Sequence, residues 1–291
     1  MKISDLNNQF LKNCEIKRNR KFYCASNKLV YYRGNWDEKI LKKSIAIVGS
    51  RSMTRYGKEI VDRFVSEFVA NGVTTISGFM YGVDTEAHQK TVDYGGRTVA
   101  VFGCGLDVIY PPENEKLYVQ ILENNGLVVS EYEAKAKPHL WKFPQRNKIV
   151  AGLSSLGVLV IEAGEKSGAL ITAKLAKSMG KKVYAVPGPI NSRVSVGCNN
   201  LIKNGEAIMA TSAVDILKIK SPHSTQRASQ DRPEMTGLEN KIYKTLQLEP
   251  LDIDEIAVKI GISIVEIGST LSMMSLKGLI TEAGGKYYLR K

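Results

Sequence analysis

Short apolar runs alternate with stretches of helical periodicity along the first three quarters of the chain. Residues 44–48 hold four consecutive apolar residues, mostly β-branched, which is typical of a buried strand. From residue 56 to residue 70 the apolar positions recur at helical spacing, and an Asn-Gly pair ends this helix. The alternation continues and predicts strands at 73–76, 97–102, 127–130, 156–161, 182–186 and 207–210, and helices at 83–94, 113–124, 168–179 and 199–203, with a last turn at 213–217.

Strands that alternate with helices in this way predict an α/β fold, a doubly wound and mostly parallel sheet with helices on both faces. Right-handed crossovers would place the carboxyl ends of the strands along one edge of the sheet. Ligands of such folds bind at that edge. The predicted doubly wound domain covers residues 44–217.

The remaining segments have different patterns. Residues 1–43 are a short basic N-terminal segment, with a strand expected at 28–32, a turn at 33–35 and a basic cluster at 17–21 that we interpret as solvated surface. Residues 218–236 have almost no apolar content and predict a flexible linker. Residues 237–291 predict three helices and a two-stranded wing that turns at Gly284-Gly285, which is a small winged-helix domain.

The second helix of the predicted helix-turn-helix, residues 263–277, is a poor match for duplex DNA. It contains Lys277 as its only cation, whereas a groove-reading helix needs donors for base edges and cations for phosphates. A role in protein contacts is at least as well supported, and the function of this domain stays open.

The net charge of +12 points to a polyanionic partner, and nucleic acid is the obvious one. Residues 1–43 carry +7, residues 44–217 +3 and the linker +2, while the winged helix is neutral. No apolar run approaches the ~20 residues of a membrane span, and the polar start does not resemble a signal peptide. We therefore expect a cytoplasmic protein without a membrane partner, whose Cys14, Cys24, Cys104 and Cys198 are reduced and structural.

Small and basic residues follow or precede the predicted strands at the ligand edge. The proposed site consists of Gly49, Ser50, Arg51, Ser77, Gly78, Tyr81, Phe143, Arg146, Asn147, Lys148, Ser167 and Gly168. Glycines let a backbone approach a ligand, a helix N-terminus offers free N–H groups to an anion, and Arg and Lys supply charge. We interpret FPQRNKIVAGLS, residues 143–154, as the basic lip of this site, and Tyr81, Trp141 and Phe143 as candidates for stacking on bases.

Signals for catalysis are weak. The sequence lacks GxxxxGK[ST] and GxGxxG, so neither a phosphate-loop ATPase nor a dinucleotide site is predicted. Asp84 and His88 lie one helical turn apart and would suit a base and its orienting partner, but a capping Asp and a surface or packed His explain them better. No catalytic residue, metal site or cofactor is predicted.

Several long motifs resemble the DprA/Smf (DNA-processing protein A) family. They are VGSR (48–51), SGFMYGVDTEAH (77–88), GGRTVAVFGCGLDVIYPPEN (95–114), FPQRNKIVAGLS (143–154) and VIEAGEKSGALITAKLA (160–176). The resemblance implies an extended Rossmann fold and a non-catalytic protein that binds single-stranded DNA. It further implies a homodimer that protects incoming strands in natural transformation and loads RecA recombinase on them. The residues that the resemblance places in the strand-binding pocket are Ser50, Arg51, Ser77, Gly78, Arg146, Asn147, Lys148, Ser167 and Gly168.

Two departures and two alternatives accompany this resemblance. Tyr81 stands where the family usually has a basic residue, so a phosphate contact is lost or replaced by stacking. The N-terminal segment is short beside the helical domain of many members. A phosphoribohydrolase of the lysine-decarboxylase-like type would need a PGGxGTxxE loop, whereas this chain reads EAGEKSGALIT. A transcription regulator acting through the winged helix is the other alternative.

Overall fold

A computed structural model describes residues 17–19, 30–218, 236–247 and 249–289. The chain divides into two compact units, residues 1–219 and residues 220–291. Most of the predicted linker, most of the basic N-terminal segment, and Cys14 and Cys24 lie outside the described residues. Cys104 and Cys198 are buried free thiols.

The described part of the larger unit is built on a nine-stranded sheet. Its strands are β1 (Lys17–Asn19), β2 (Val30–Gly34), β3 (Ser44–Val48), β4 (Thr74–Ser77), β5 (Thr98–Phe102), β6 (Leu127–Ser130), β7 (Gly157–Val160), β8 (Val183–Ala185) and β9 (Ile208–Met209). Their order in the sheet is β1-β2-β6-β5-β4-β3-β7-β8-β9. Every pairing among β3 to β9 is parallel, whereas β1–β2 and β2–β6 are antiparallel. The mostly parallel sheet predicted from the sequence is confirmed.

Helices cover both faces of this sheet. They are α1 (Arg55–Ala70), α2 (Val83–Asp93), α3 (Glu115–Glu123), α4 (Lys142–Leu153), α5 (Gly168–Ser178), α6 (Val196–Lys203) and α7 (Val214–Leu217), with 3-10 turns at Glu38–Leu41 and Pro112–Asn114. Successive side chains of β3 point to opposite faces, as the period of a strand requires. Ile45 and Ile47 join the core under α1 and α2, while Ala46 and Val48 join the core under α4, α5 and α6.

The strand order reverses at β3. From β3 the chain builds outward through β4, β5 and β6, and it then returns to the other side of β3 with β7. The helices that follow the neighbouring strands β3 and β7, namely α1 and α5, therefore lie on opposite faces of the sheet, which opens a crevice beyond the carboxyl ends of these strands.

Most predicted boundaries lie within two residues of the observed ones. The exception among the helices named in advance is α6, which begins at Val196, three residues earlier than predicted. The turn predicted at 33–35 is wrong. Arg33 belongs to β2, which pairs with β6, and its buried side chain donates to the Tyr118 hydroxyl at 2.8 Å.

No helix was predicted over residues 143–154, which were interpreted as the basic lip of the site, but all of them except the capping Ser154 belong to α4. Phe143, Arg146, Val150 and Leu153 are buried at helical spacing. Pro144 lies in the first turn, where its missing N–H costs no helical hydrogen bond. The helix was not predicted because Arg146, a charged residue, occupies one of the positions that face the core, and this interrupts the apolar periodicity.

The smaller unit is a winged helix. It contains α8 (Gly237–Leu246), α9 (Ile253–Ile260), α10 (Ile264–Leu276) and the hairpin β10 (Ile280–Ala283) and β11 (Lys286–Leu289). Capping boxes begin α8 and α9, and Gly261 ends α9 in the left-handed conformation. Among the described residues, no single helix has the length and apolar character to cross a membrane; α9 and α10, bent by 113°, pass such a test only as a pair.

Candidate nucleic-acid interface

A cavity of about 200 Å³ lies at the carboxyl edge of the sheet, where the strand order reverses. The loop after β3, the residues after β4, α4 and the start of α5 all contribute to its walls. Nine of the twelve residues predicted from the sequence line it, namely Gly49, Arg51, Gly78, Tyr81, Phe143, Arg146, Asn147, Ser167 and Gly168. The fold thus brings together most of the residues proposed as one site.

Arg51 is the exposed cation of this cavity. It lies in the loop between β3 and α1, and its guanidinium carbon is 5.7 Å from the centre of the Phe143 ring. Thr54 caps α1 at the end of this loop, and its backbone N–H and hydroxyl both donate to the buried carboxylate of Glu162, at 2.9 and 2.5 Å. The loop is therefore fixed at its far end, while the planar fork of Arg51 stays accessible to an anion.

Arg146 was predicted to lie on an open lip, but it is only 2% exposed. Its guanidinium donates to the carbonyl oxygens of Gly78 and Val101, at the ends of β4 and β5, and its Nε donates to the Asn147 side chain at 3.2 Å. Arg146 thus forms the floor of the cavity and joins two strand ends. Its first role is structural.

Gly78 leaves room for two oppositely charged side chains, the half-buried Asp84 and the buried Arg146. A Cβ at this position would lie 2.5 Å from an Asp84 carboxylate oxygen and 2.7 Å from an Arg146 nitrogen. Burial raises the pKa of Asp84, and the Arg146 charge, the Ser77 hydroxyl and the Met80 N–H oppose this rise. Burial likewise lowers the pKa of Arg146, which Asp84 opposes. At the cavity floor the charges of Asp84 and Arg146 thus favour each other's ionised form.

The Asp84 and His88 side chains do not form a catalytic pair. His88 is fully buried, its Nδ1 lies 2.7 Å from the Thr98 hydroxyl, and its ring packs 5.8 Å from that of Phe79. Burial lowers the pKa of His88 to about 3, so the imidazole is neutral at physiological pH. Of the two structural alternatives, a surface and a packed histidine, the structure shows the packed one.

The N-terminus of α5 faces the cavity. Ser167 caps the helix, with its hydroxyl accepting from the Ala169 N–H at 3.3 Å. A Cβ on Gly168 would meet no atom within 4 Å, so the cavity has open space here. The Leu170 N–H donates to the Ser167 carbonyl, so the N–H of Gly168 and the positive end of the helix dipole are what favour an anion at this place.

The three candidate aromatic residues have different environments. Phe143 is 8% exposed and packs against Tyr110, with ring centres 5.8 Å apart. Tyr81 is 40% exposed, but its hydroxyl donates to Glu113 at 3.0 Å. Trp141 is 57% exposed and lies just outside the cavity, next to Leu140 in its wall. Phe143 therefore supports the cavity wall, and Trp141 offers the most accessible ring of the three.

Three predicted residues do not line the cavity. The Ser77 hydroxyl is buried and donates to the Ile47 carbonyl at 2.7 Å, which joins β4 to β3. Ser50 lies in the Arg51 loop and accepts from the Ser52 N–H at 3.1 Å. Lys148 is exposed on α4. Ser77 and Ser50 thus stabilise the backbone around the site, and Lys148 is placed for contacts outside the cavity.

The apolar rim of the cavity, formed by Leu140 and Ile171, was not predicted from the sequence. Leu140 and Ile171 line the cavity and are 84% and 43% exposed. An apolar Leu-Trp pair inside the otherwise polar loop 131–141 was the available signal. Within the described parts of the chain, no group of three or more His, Cys, Asp or Glu side chains is arranged to hold a metal ion.

Comparison with protein families gives two matches. The model of DNA recombination-mediator protein A matches residues 17–220, and that of the DprA winged helix domain matches residues 226–286. Protein Smf of Synechocystis is 32% identical over 299 residues, which cover 90% of this chain and 75% of that protein. DNA processing protein DprA of Streptococcus pneumoniae is 42% identical over 190 residues, 65% of each chain.

Solved structures agree with these matches. The X-ray structure of DprA from Streptococcus pneumoniae has a TM-score of 0.63 and 34% identity, and the match covers 76% of this chain and 79% of that one. DNA processing protein A from Helicobacter pylori, a structure described for its single-stranded DNA binding mode, has a TM-score of 0.60 and 30% identity over 71% of this chain and 93% of that one. The chain therefore belongs to the DNA recombination-mediator protein A family, whose members are named DprA or Smf.

Proposed function

We propose that this protein binds single-stranded DNA at the carboxyl edge of its sheet, without catalysis. The observation that carries the proposal is that Arg51 and the N-terminus of α5 face one open cavity. A backbone phosphate there would accept hydrogen bonds from the Arg51 fork and from the N–H of Gly168 at the start of α5. Lys148, on the exposed side of α4, would contact phosphates outside the cavity.

The apolar rim supports a single strand over a duplex. Leu140 and Ile171 would contact bases, and bases are accessible to such contacts only when they are not paired and stacked inside a duplex. The related protein from Helicobacter pylori is described by its single-stranded DNA binding mode. Family membership and site chemistry thus favour the same ligand.

The winged helix is not proposed as the DNA reader. Val265 and Leu276 on α10 are 84% and 83% exposed, and Glu266 is the only charged residue within that helix. An apolar helix surface without a cation lacks the charge and the donors that reading a groove requires.

For the cellular role, we propose the one that family membership supports. The protein, as a cytoplasmic homodimer, would protect incoming single strands during transformation or related recombination and load RecA recombinase on them. Light scattering tests the dimer. A strand-exchange assay with strands coated by single-strand-binding protein tests the RecA step, in which the protein should shorten the lag before RecA filaments form.

The direct test is fluorescence anisotropy with a labelled poly-dT strand and a duplex of equal length across a salt series. We expect tighter binding of the single strand, with an affinity that falls linearly on a log–log plot against salt, because phosphate contacts release counterions. Equal or absent binding of both probes would overturn the proposal. Release of free base from nucleoside monophosphates would then assign the pocket to a phosphoribohydrolase.

A further inference from the structure

Beside the cavity lies a group of aromatic side chains that the phosphate contacts do not involve. It consists of Tyr132, His139 and Trp141, and we refer to it as the aromatic platform. The Trp141 ring is 57% exposed and lies within 10° of parallel to the His139 ring, with centres 6.3 Å apart. Tyr132 meets Trp141 edge-on at 85° and 6.3 Å, so it supports the indole from the side.

A buried lysine holds this platform in place. Lys142 is only 7% exposed, and its ammonium lies 4.7 Å from the centre of the Tyr132 ring and 5.6 Å from that of Trp141. It also donates to the Lys137 carbonyl at 2.7 Å. A cation over two aromatic faces restrains both rings, because the ring quadrupoles attract it. The platform is therefore ordered before any ligand arrives.

The platform continues the cavity along one direction. Leu140 lines the cavity wall, and its chain neighbours His139 and Trp141 carry the parallel rings. Trp141 directly follows Leu140 in the chain, so the exposed indole begins where the cavity wall ends. A strand whose phosphate occupies the cavity thus has an adjacent base within reach of the exposed indole.

We propose that Trp141 is a base-stacking subsite of this protein, held in position by Lys142, and that it takes one nucleobase of the strand bound in the cavity. The proposal rests on the function proposed above. Stacking on an indole does not select one base, because every base has a π face. Trp141 thereby provides the contact that neither the enclosed Phe143 nor the hydrogen-bonded Tyr81 is free to make.

Intrinsic fluorescence isolates this subsite. The chain has two tryptophans, Trp36 and Trp141. Trp36 is partly buried against the core and packs 5.0 Å from the Tyr32 ring. In the full-length Trp36→Phe variant, poly-dT should quench the remaining emission at saturation, because a stacked base quenches an indole. In the matched Trp141→Phe variant, emission from Trp36 should not change.

Affinity for two oligonucleotides gives the second readout. Trp141→Ala should weaken poly-dT binding about tenfold, since stacking contributes roughly 1–3 kcal/mol per base. On an oligonucleotide of abasic residues this loss should disappear, whereas Arg51→Ala should weaken both probes because it removes a phosphate contact. Trp36 emission checks that Trp141→Ala remains folded.

The role of Lys142 is tested by Lys142→Met, which keeps the aliphatic stem and removes the charge. In the Trp36→Phe background, Trp141 emission should become less anisotropic without DNA, and poly-dT should bind less tightly. Unchanged indole mobility would overturn the positioning role.

The outcomes separate the two proposals. If poly-dT binds but Trp141 is not quenched and Trp141→Ala binds as the parent does, the subsite is wrong and the cavity proposal stands. If poly-dT does not bind at all, both proposals fail.

Discussion

The two edges of the parallel sheet both carry basic side chains, but they use them differently. At the amino-terminal edge, Lys43 donates to the Asn71 carbonyl at 2.7 Å and Lys181 to the Gly152 carbonyl at 2.6 Å, at the C-terminal ends of α1 and α4. At the carboxyl edge, Arg51 is exposed beside an open cavity. Basic side chains thus donate to carbonyl groups at helix ends along one edge, whereas Arg51 lines an open cavity at the other.

The geometry of the fold explains this difference. A helix that follows a parallel strand begins near the carboxyl edge of the sheet and ends near the amino-terminal edge. Negative ends of helix dipoles therefore collect at the amino-terminal edge and are neutralised there by lysines, while positive ends collect at the carboxyl edge. The net charge of the larger unit does not locate the anion site, whereas the direction of the helices does.

Arg146 departs from this division between the two edges. It lies at the carboxyl edge, and yet it donates to the protein's own carbonyl groups. Arg146→Met should lower the free energy of unfolding by about 3–5 kcal/mol, since it leaves Asp84 without its compensating charge. Denaturant unfolding followed by tryptophan emission reports this, because Trp36 and Trp141 both lie in the larger unit.

The control for Arg146 is a double variant. Adding Asp84→Asn to Arg146→Met removes the uncompensated carboxylate and should recover part of the lost stability. If Arg146→Met lowers the free energy of unfolding by less than about 1 kcal/mol, the structural role is wrong and Arg146 is again a candidate for ligand binding.

The dependence of unfolding on pH tests the interior of the sheet, between the two edges, where His88 is buried. The pKa of buried His88 is about 3, below its value of 6.5 in the unfolded chain. Below pH 6.5 the unfolded chain takes up a proton at this histidine, whereas the folded protein does so only near pH 3. The free energy of unfolding therefore falls as the pH drops from 6.5 towards 3, and it does not depend on His88 above pH 6.5. Between pH 7 and pH 5 the free energy of unfolding should drop by about 2 kcal/mol from this group.

The His88→Asn variant is the control for this pH series. Asparagine can still reach the Thr98 hydroxyl but does not titrate, so the part of the slope due to His88 should vanish. Other ionisable groups contribute equally to both proteins. The same pH slope in parent and variant would contradict a buried neutral histidine.

The sequence predicted the sheet well because its strands are continuous apolar runs bounded by turn residues, as at Ser44–Val48. It also predicted which residues gather at the cavity, since the carboxyl ends of parallel strands share one edge. It failed where a polar residue occupies a core position. Arg146 and Arg33 are buried, and only partners distant in sequence, such as Val101 and Tyr118, account for that.

Arg51→Ala tests the ligand side of the comparison. Losing one charge-assisted phosphate contact should weaken poly-dT binding about tenfold and reduce the salt slope by about one. Stability should hardly change, because the side chain is exposed. Anisotropy across a salt series measures both effects.

The matched control is Arg97→Ala at the amino-terminal edge. Arg97 donates to the Asn125 carbonyl at 3.0 Å, so its loss removes the same charge from the chain without touching the cavity. An equal loss of affinity in both variants would mean that total charge, and not the position of Arg51, governs binding.

Lys181→Met tests the closed edge and has the smallest expected effect. The Lys181 ammonium donates to the Gly152 and Ser154 carbonyls, both at 2.6 Å, and so caps the C-terminal end of α4. Methionine keeps the stem and leaves these carbonyls without that donor, which should cost about 1 kcal/mol of unfolding free energy because the site is partly solvated. Affinity for poly-dT and its salt slope should stay at the parent values. If Lys181→Met instead weakens binding as Arg51→Ala does, DNA contacts both edges and the division between them is wrong.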